Sequence, residues 1–178
     1  MVKASIVNVV ATAALNQKLD LDDLAKCREI LHDSEIYGGR VAYFKTSHME
    51  GKVSFFTSGK MISVGTTSEE KAFHELEYAT NFLVEEGFIK PVILQPKVQN
   101  VVVTADFGER IDIEELSERW KMIYEPEQFP GAILKINTPY EATVLIFASG
   151  KVVITGLKGS HQIKPTMQKL MDIMKVGK

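Results

Sequence analysis

The sequence is poor in cysteine and in long apolar runs, and both shortages limit the kind of protein it encodes. Its single cysteine, Cys27, cannot form an internal disulfide, so a reducing compartment is expected. No apolar run approaches the length of a membrane span, and the N-terminal residues lack the apolar core and cleavage site of a signal peptide. These absences predict a cytoplasmic protein without a membrane segment. Cys27 falls within a helical pattern, which favours a packed or inert thiol.

The motifs of common enzyme classes are also missing. There is no Walker A loop and no G-x-S-x-G, and the histidines show no metal-ligand spacing. Asp106-Phe107-Gly108 matches a kinase string, but the other kinase motifs are absent. The acidic pairs Glu69-Glu70 and Glu114-Glu115 open predicted helices, where carboxylates complement the helix dipole. We therefore expect no catalysis, no metal and no cofactor.

The net charge is small but unevenly distributed. The chain has 21 basic and 23 acidic side chains, a net charge of −2. Residues 1–92 hold 10 basic and 13 acidic side chains, while residues 93–178 hold 11 and 10. If the partner is a nucleic acid, groove contacts must supply much of the affinity, because phosphate neutralisation alone would supply little.

Three blocks of sequence occur twice, in the same order and 91 or 92 residues apart. The pairs are Ile6–Ala13 with Val98–Ala105, Leu19–Leu24 with Ile111–Leu116, and Ser58–Gly65 with Ser149–Gly156. This period is too long for a solenoid and indicates one duplicated half-domain. We expect a first repeat over 1–91 and a second over 92–178, related by a pseudo-twofold axis. Such a chain suits a partner that is itself nearly twofold, and duplex DNA is one.

Each half is predicted to contain a strand, a helix, three strands and a second helix. In the first half the strands are 5–13, 40–46, 51–57 and 60–66, and the helices are 20–32 and 68–86. In the second half the strands are 98–105, 131–137, 142–148 and 151–157, and the helices are 112–123 and 164–175. This order predicts an α+β fold, with helices covering one face of an antiparallel sheet and the other face left open.

Strand residues of one parity form a mixed apolar and amide surface with few charges. They include Asn8, Val10, Thr12, Phe56, Ile62 and Val64 in the first half, and Asn100, Val102, Thr104, Phe147, Val153 and Thr155 in the second. A second core layer, or an oligomer interface such as a weak homodimer of the free protein, would explain the apolar residues. The pattern alone favours one of these two. The asparagine at the same place in each half supports a polar partner as the alternative, because amides on an apolar face need hydrogen-bond partners.

Two stretches of the second half indicate a family. Tyr124–Gly131 and Leu145–Gly156 closely resemble the second repeat of the archaeal-type TATA-box-binding proteins. Asn8 and Ser58-Gly59-Lys60 fit the first repeat, so the resemblance covers essentially the whole chain. It implies a saddle built from two direct repeats. A ten-stranded antiparallel sheet would bind a widened DNA minor groove through its concave face, with four helices on the convex face.

The resemblance also assigns DNA contacts. Asn8 and Asn100 become the central pair that donates hydrogen bonds to base acceptors. The implied groove floor consists of Val10, Thr12, Ile62, Val64, Val102, Thr104, Leu145, Val153 and Thr155. The implied wedges are Phe129 and Phe147 at one end of the site, and Phe56 with Tyr37 at the other. Lys135 takes the family's basic strand position. An apolar floor with few donors should prefer A·T pairs, which present only acceptors in the minor groove.

The resemblance places Glu125 and Glu127 in the loop that docks transcription factor B. It implies a general transcription initiation factor that binds and bends A·T-rich promoter DNA on the nucleoid. The same factor would recruit transcription factor B and, through it, RNA polymerase. A divergent paralogue that serves a subset of promoters, or that binds DNA only with a partner, is the nearest alternative. A ligand-binding or enzymatic α+β domain that uses the open face as a pocket is more remote.

The first half departs from the family pattern. Its second wedge position holds Tyr37 rather than phenylalanine, Val64 replaces the usual threonine, and Tyr43 is expected at the basic strand position. Glu50 and Glu141 lie in or near hairpins where the family commonly offers a basic side chain to phosphate. We therefore expect the first half to hold DNA less tightly than the second.

Overall fold

A computed structural model describes residues 2–175 of the chain. Its strands are β1 (Ala4–Ala14), β2 (Ile30–His32), β3 (Val41–Phe44), β4 (Lys52–Phe56), β5 (Lys60–Thr66), β6 (Lys97–Asp106), β7 (Gly131–Ile136), β8 (Ala142–Phe147) and β9 (Lys151–Leu157). Its helices are α1 (Leu21–Leu24), α2 (Glu69–Glu85), α3 (Ile113–Trp120) and α4 (Ile163–Lys175), with short 3-10 turns at Ile36–Gly39 and Ser160–Gln162. None of these helices is long and apolar enough to cross a membrane.

The strands form one antiparallel sheet in the order β2-β3-β4-β5-β1-β6-β9-β8-β7. The predicted α+β class is confirmed, with nine strands in the described residues rather than ten. The expected tenth strand, the second-half counterpart of β2, is reduced to an isolated bridge between Ile123 and Ile133. A single bridge is too short to count as a strand, although it occupies the corresponding edge next to β7.

The chain divides into two compact units. Residues 8–99 form the first unit, and the described residues before and after this range form the second unit. These units are defined by contacts within the folded chain, whereas the repeats predicted at 1–91 and 92–178 are defined by sequence similarity. The repeat boundary therefore stays a prediction.

In the first unit, α2 covers one face of the sheet by packing on β4 and β5. The Ser68 side chain begins this helix by accepting a hydrogen bond from the Lys71 N–H at 3.1 Å, which satisfies one of the free donors of the first turn. Apolar residues at helical spacing, including Leu76 and Leu83, are completely buried against the strands. The predicted helix 68–86 is thus confirmed to within a residue at each end.

In the second unit, α3 contacts β7 and begins at Asp112, whose carboxylate accepts from the Glu115 N–H at 3.1 Å. Helix α4 buries Met167, Leu170 and Ile173. Strands β6 to β9 follow the predicted ranges closely. On most strands in both units, residues buried against the helices alternate with half-buried or exposed residues, whereas Val53, Ser54 and Phe55 on β4 are all buried.

The predicted helix at 20–32 is wrong beyond its first turn. Asp20 caps α1, accepting hydrogen bonds from the Asp22 and Asp23 N–H groups. The helix ends at Leu24, and Lys26 and Cys27 then make short-range turns. Ile30 is buried because it pairs with Phe44 in the sheet, so its helical spacing from Leu24 was coincidental.

Cys27 lies in this turn region and is half-buried. Burial, together with the nearby Glu86 carboxylate, raises the pKa of the thiol. Thiolate is the reactive form, so a raised pKa agrees with the expected inert thiol.

Candidate nucleic-acid interface

Asn8 and Asn100 hold equivalent positions in the two units. Each side-chain oxygen accepts a hydrogen bond from a glycine N–H on the neighbouring strand, Gly65 for Asn8 and Gly156 for Asn100, both at 2.7 Å. The glycine donor fixes which end of the amide is oxygen, so the Nδ2 group is directed away from the glycine. The Asn100 Nδ2 makes only a long contact of 3.5 Å with the Thr155 hydroxyl. Each unit therefore presents an oriented amide donor.

A β-bulge places each glycine. On β5, Val64 and Gly65 together face one β1 residue, and on β9, Thr155 and Gly156 together face one β6 residue. Gly65 and Gly156 have φ angles of 93° and 98°, which strain any residue with a Cβ. The bulge frees the glycine N–H from the strand ladder, and the asparagine oxygen satisfies it. The sequence repeat contained both glycines, but nothing in the sequence linked them to the asparagines.

We expect Gly156→Ala to weaken DNA binding because it disturbs the N–H that orients Asn100. The positive φ should also lower the free energy of unfolding by about 1–2 kcal/mol. Gly87→Ala is the matched control, because Gly87 has a φ of 79° and open space around its Cβ position. Urea unfolding should show similar losses for both variants, while duplex titration should show weaker binding only for Gly156→Ala. Equal DNA affinity for the two variants would contradict the orienting role.

We define the open face of each unit as the strand residues that point away from the helices. In the first unit it contains Asn8, Val10, Thr12, Tyr43, Lys52, Ser54, Phe56, Ile62 and Val64. In the second unit it contains Asn100, Val102, Thr104, Ile133, Lys135, Thr143, Leu145, Phe147, Val153 and Thr155. All the predicted floor residues lie on these faces and are half-buried. The structure thus brings the predicted floor residues of each unit onto a single surface.

The open face of the second unit includes a concavity of about 660 Å³. Thr104, Phe147 and Val153 line it, together with Lys3, Lys151 and one acid, Asp106. Apolar walls with two lysines against one aspartate suit the sugar and base edges of a groove flanked by phosphates.

Phe129 and Phe147 form an edge-on aromatic pair in the second unit. Their ring centroids are 5.8 Å apart, and the rings are inclined at 66°. Gly131, on the neighbouring strand, makes room for both, because a Cβ there would lie 2.9 Å from the Phe129 ring and 3.1 Å from the Phe147 ring. Phe129 is nevertheless 36% exposed. The pair is therefore supported from beneath and free at its outer edge, as a wedge requires.

The first unit has no equivalent aromatic pair among the described residues. Val41 pairs with Phe56 as Gly131 pairs with Phe147, so a valine side chain occupies the place that glycine leaves empty. The alignment of Val41 with Gly131 makes Gly39, and not the predicted Tyr37, the counterpart of Phe129. Tyr37 stands 72% exposed with a positive φ of 50°. Phe56 remains half-buried on the open face. The two ends of the predicted site thus differ in construction.

The predicted position of the first basic strand residue is wrong. Strand register aligns Val41 with Gly131, so Lys45, and not Tyr43, is the counterpart of Lys135. Lys135 is exposed. The Lys45 ammonium instead donates to the carbonyl oxygens of Met49, Glu50 and Gly51 at 3.1, 2.9 and 2.6 Å. Lys45 therefore holds a hairpin together and is less available for phosphate.

That hairpin also presents an acid. Glu50 is bonded to the Thr67 hydroxyl at 2.7 Å and to the Lys71 ammonium at 3.1 Å, and these contacts lower the pKa of its carboxyl. The buried Glu75 carboxylate fixes the hairpin from the other side by accepting from the Glu50 and Gly51 N–H groups. Because Lys45 is bound to the hairpin carbonyl oxygens and Glu50 is paired with Lys71, this hairpin offers a phosphate backbone little net attraction. Glu141, in the corresponding hairpin of the second unit, is exposed.

Glu125 and Glu127 are both exposed, in the loop that precedes β7. The Glu125 carbonyl oxygen accepts from the Gln128 and Phe129 N–H groups, each at 2.9 Å. This turn fixes the loop immediately beside the wedge residue Phe129. Within residues 2–175, no group of three or more histidine, cysteine or acidic side chains is placed to hold a metal ion.

Comparisons with known proteins agree with this arrangement. The family model described as "Transcription factor TFIID (or TATA-binding protein, TBP)" matches residues 3–85 and again residues 95–176. The TATA-box-binding protein of Cenarchaeum symbiosum is 39% identical over 160 residues, covering 89% of this chain and 87% of that protein. That of Methanocaldococcus jannaschii is 35% identical over 174 residues, covering 96% and 92%.

A solved structure, Methanococcus jannaschii TBP, matches with a TM-score of 0.85 and 31% sequence identity. The match covers 97% of this chain and 98% of that one. The family model matches each half once, in agreement with the duplicated sequence blocks, and these relatives align over most of their length. With its fold and its repeats in agreement with these matches, the chain belongs to the TATA-box-binding protein family.

Proposed function

We propose that this protein is a general transcription initiation factor that binds A·T-rich promoter DNA through the minor groove, bends it, and recruits transcription factor B and then RNA polymerase. The observation that supports this most is the pair of oriented amides, Asn8 and Asn100, each on an apolar open face. A factor of this kind acts on the nucleoid, in the cytoplasm.

The preference for A·T pairs follows from the chemistry of the open faces. In the minor groove an A·T pair presents only acceptors, whereas a G·C pair adds the guanine N2 amino group. The amide donors of Asn8 and Asn100 match the base acceptors of the minor groove. Apolar side chains such as Leu145 and Val153, lying close to the base edges, would leave a guanine amino group without a hydrogen-bond partner. We expect each good donor contact to contribute about 1–3 kcal/mol.

Bending is supported by Phe129 and Phe147. Apolar side chains inserted between base steps unstack them and kink the duplex, and TATA-box-binding proteins are themselves the standard example of this mechanism. The ring pair is exposed at its outer edge and supported at Gly131, so it can enter a base step without repacking the core.

Gel shifts test the proposal directly. An A·T-rich duplex and a G·C-rich duplex of equal length should differ in affinity by at least about tenfold. Adding transcription factor B should produce a slower, more stable complex on the A·T duplex alone. Equal binding of both duplexes at the same salt concentration would overturn the proposal.

Charge reversal at Glu125 and Glu127 should separate partner binding from DNA binding. The two exposed carboxylates lie in a fixed turn, so we expect Glu125→Arg with Glu127→Arg to abolish the complex with transcription factor B. Binary affinity for DNA should not fall. The control reverses two exposed acids of α2, Glu77→Arg with Glu85→Arg, and should keep the ternary complex. A wild-type ternary complex with the loop variant would mean that the two acids only solubilise the loop.

A partner-dependent paralogue remains a second candidate, and the first unit gives the reason. Lys45 is occupied by carbonyl oxygens, and within residues 2–175 the first unit has no ring pair equivalent to that of Phe129 and Phe147. A weak first unit would leave the binary complex short-lived until a partner binds. Detectable DNA binding only in the presence of transcription factor B would favour this candidate over a general factor.

A further inference from the structure

The two open faces differ at one central floor position. Ser54 pairs with Ile62 in the first unit, and Leu145 pairs with Val153 in the second. Since Ile62 and Val153 are themselves equivalent, Ser54 stands where the second unit has Leu145. A short hydroxyl side chain therefore replaces a branched apolar one at the same register.

Ser54 lies in a recess of the open face. Its neighbours Val53 and Phe55 are completely buried on the helix-covered side, so strand alternation directs Ser54 to the other side. It is nevertheless only 8% exposed, so its neighbours cover most of it. No hydrogen bond within the described residues involves its hydroxyl. The fully buried unpaired side-chain atoms there are Ser63 Oγ, Ser117 Oγ and Trp120 Nε1, and Ser54 Oγ is not among them. The recess thus contains the Ser54 hydroxyl, which can accept a hydrogen bond, at the place where the second unit has the methyl groups of Leu145.

A cation lies beside this recess. Tyr43 is the cross-strand partner of Ser54, and the Lys52 ammonium sits 4.3 Å from the centroid of its ring. The second unit has Ile133 and Thr143 at the corresponding positions. The ring keeps the ammonium over the open face, where it can donate to base acceptors. The first unit therefore combines an acceptor and a donor at a position where the second unit has an aliphatic floor.

We propose that the first unit accommodates a G·C base pair, with the Ser54 hydroxyl accepting from the guanine N2 amino group and Lys52 donating to the base acceptors of the same or the adjacent step. The second unit excludes G·C at the equivalent position, because Leu145 offers the amino group no acceptor and no space. The preferred target is then a duplex with one strictly A·T half and one half that accepts a G·C pair. This inference rests on the proposed DNA-binding function and adds its sequence specificity.

The test uses a self-complementary A·T duplex, in which either half can lie under either unit. Single A·T pairs are changed to G·C in one half, or symmetrically in both halves, at each position in turn. Matched duplexes carry inosine instead of guanine, because inosine lacks only the N2 amino group. At the position under Ser54, one guanine should reduce affinity by less than about threefold, while guanine in both halves should reduce it by at least about tenfold. Inosine in both halves should restore the affinity.

Three variants assign the effect to these residues, and the affinity of each for a guanine-containing duplex is compared with its own affinity for the all-A·T duplex. Ser54→Leu, or Ser54→Leu with Tyr43→Ile to copy the second unit, should make even a single guanine cost at least about tenfold. Leu145→Ser should relieve much of the loss caused by guanine in both halves. Circular dichroism confirms that each variant is folded, and the double variant covers the case in which leucine does not fit beside Tyr43.

The outcomes separate the two proposals. Binding of the A·T duplex with a tenfold loss for a single guanine at every position overturns the inference and leaves the proposed function standing. If a single guanine is still tolerated in both Ser54 variants, the inference is likewise overturned and the proposed function stands. Failure to bind the A·T duplex at all overturns the proposed function, and this inference with it.

Discussion

Replacing Asn8 and Asn100 together by alanine should reduce affinity for an A·T-rich duplex by about 2–6 kcal/mol, at about 1–3 kcal/mol for each donor removed. The expected loss is large because each amide is held in one orientation before DNA arrives. The Gly65 and Gly156 N–H groups bind the amide oxygens at 2.7 Å, so each Nδ2 donor reaches the groove without further ordering. Fluorescence titration at fixed salt concentration measures the change.

The same substitution away from the open face provides the control. Asn81 is exposed on α2, and Asn81→Ala should bind DNA as the wild type does. The double variant should lose some stability because the two glycine N–H groups lose their acceptors, so urea unfolding is measured alongside. A folded double variant that binds with wild-type affinity would contradict the assignment of both asparagines to the groove.

Phe147→Ala should reduce DNA bending more than Phe56→Ala. In the second unit Phe147 supports Phe129, and Gly131 gives both rings space, so truncating Phe147 removes one wedge and releases the other. In the first unit Val41 occupies the corresponding space, and Tyr37 stands exposed, so truncating Phe56 removes a single ring. The stacking of one base on one aromatic ring is worth about 1–3 kcal/mol. We expect the kink at the Phe147 end to disappear and the kink at the Phe56 end to weaken.

Energy transfer between dyes placed at either end of the duplex reports the two kinks separately. Phe73→Ala is the control, because Phe73 is a half-buried residue of α2 and not part of the open face. Equal loss of bending for Phe147→Ala and Phe56→Ala would show that the asymmetry in packing has no effect on the bent complex.

Much of the fold was predictable because its signals are local. The Ser68 and Asp112 caps, the alternating strands and the hairpin turns fix element type within a few residues of sequence. The exceptions depend on partners distant in sequence. Ile30 has helical spacing from Leu24, but its pairing with Phe44 makes it part of a strand. Ile123 has strand character but forms only one bridge, so the tenth strand is missing from the described residues.

The sequence predicted which residues share an open face, but it predicted less well which residues of the two units correspond to each other. Strand parity and the repeat offset placed the asparagines and the floor residues, because both follow from counting along the chain. The equivalence of Lys45 with Lys135 depends on how β3 pairs with β4, and an unequal loop before β3 hides that register in the sequence. The same register places Ser54 opposite Tyr43. The bulges on β5 and β9 place the glycines beside the asparagines, and sequence spacing predicts neither arrangement.

The most direct test of the central claim replaces every A·T pair of the target duplex by inosine·C. This exchange leaves the minor groove with the acceptors of an A·T pair and no amino group, while it changes the pattern of the major groove. If the open faces read the minor groove, the affinity should stay within about threefold of the A·T duplex, and a G·C duplex should bind at least about tenfold more weakly. Binding of the inosine duplex as weakly as the G·C duplex would contradict minor-groove recognition by this protein.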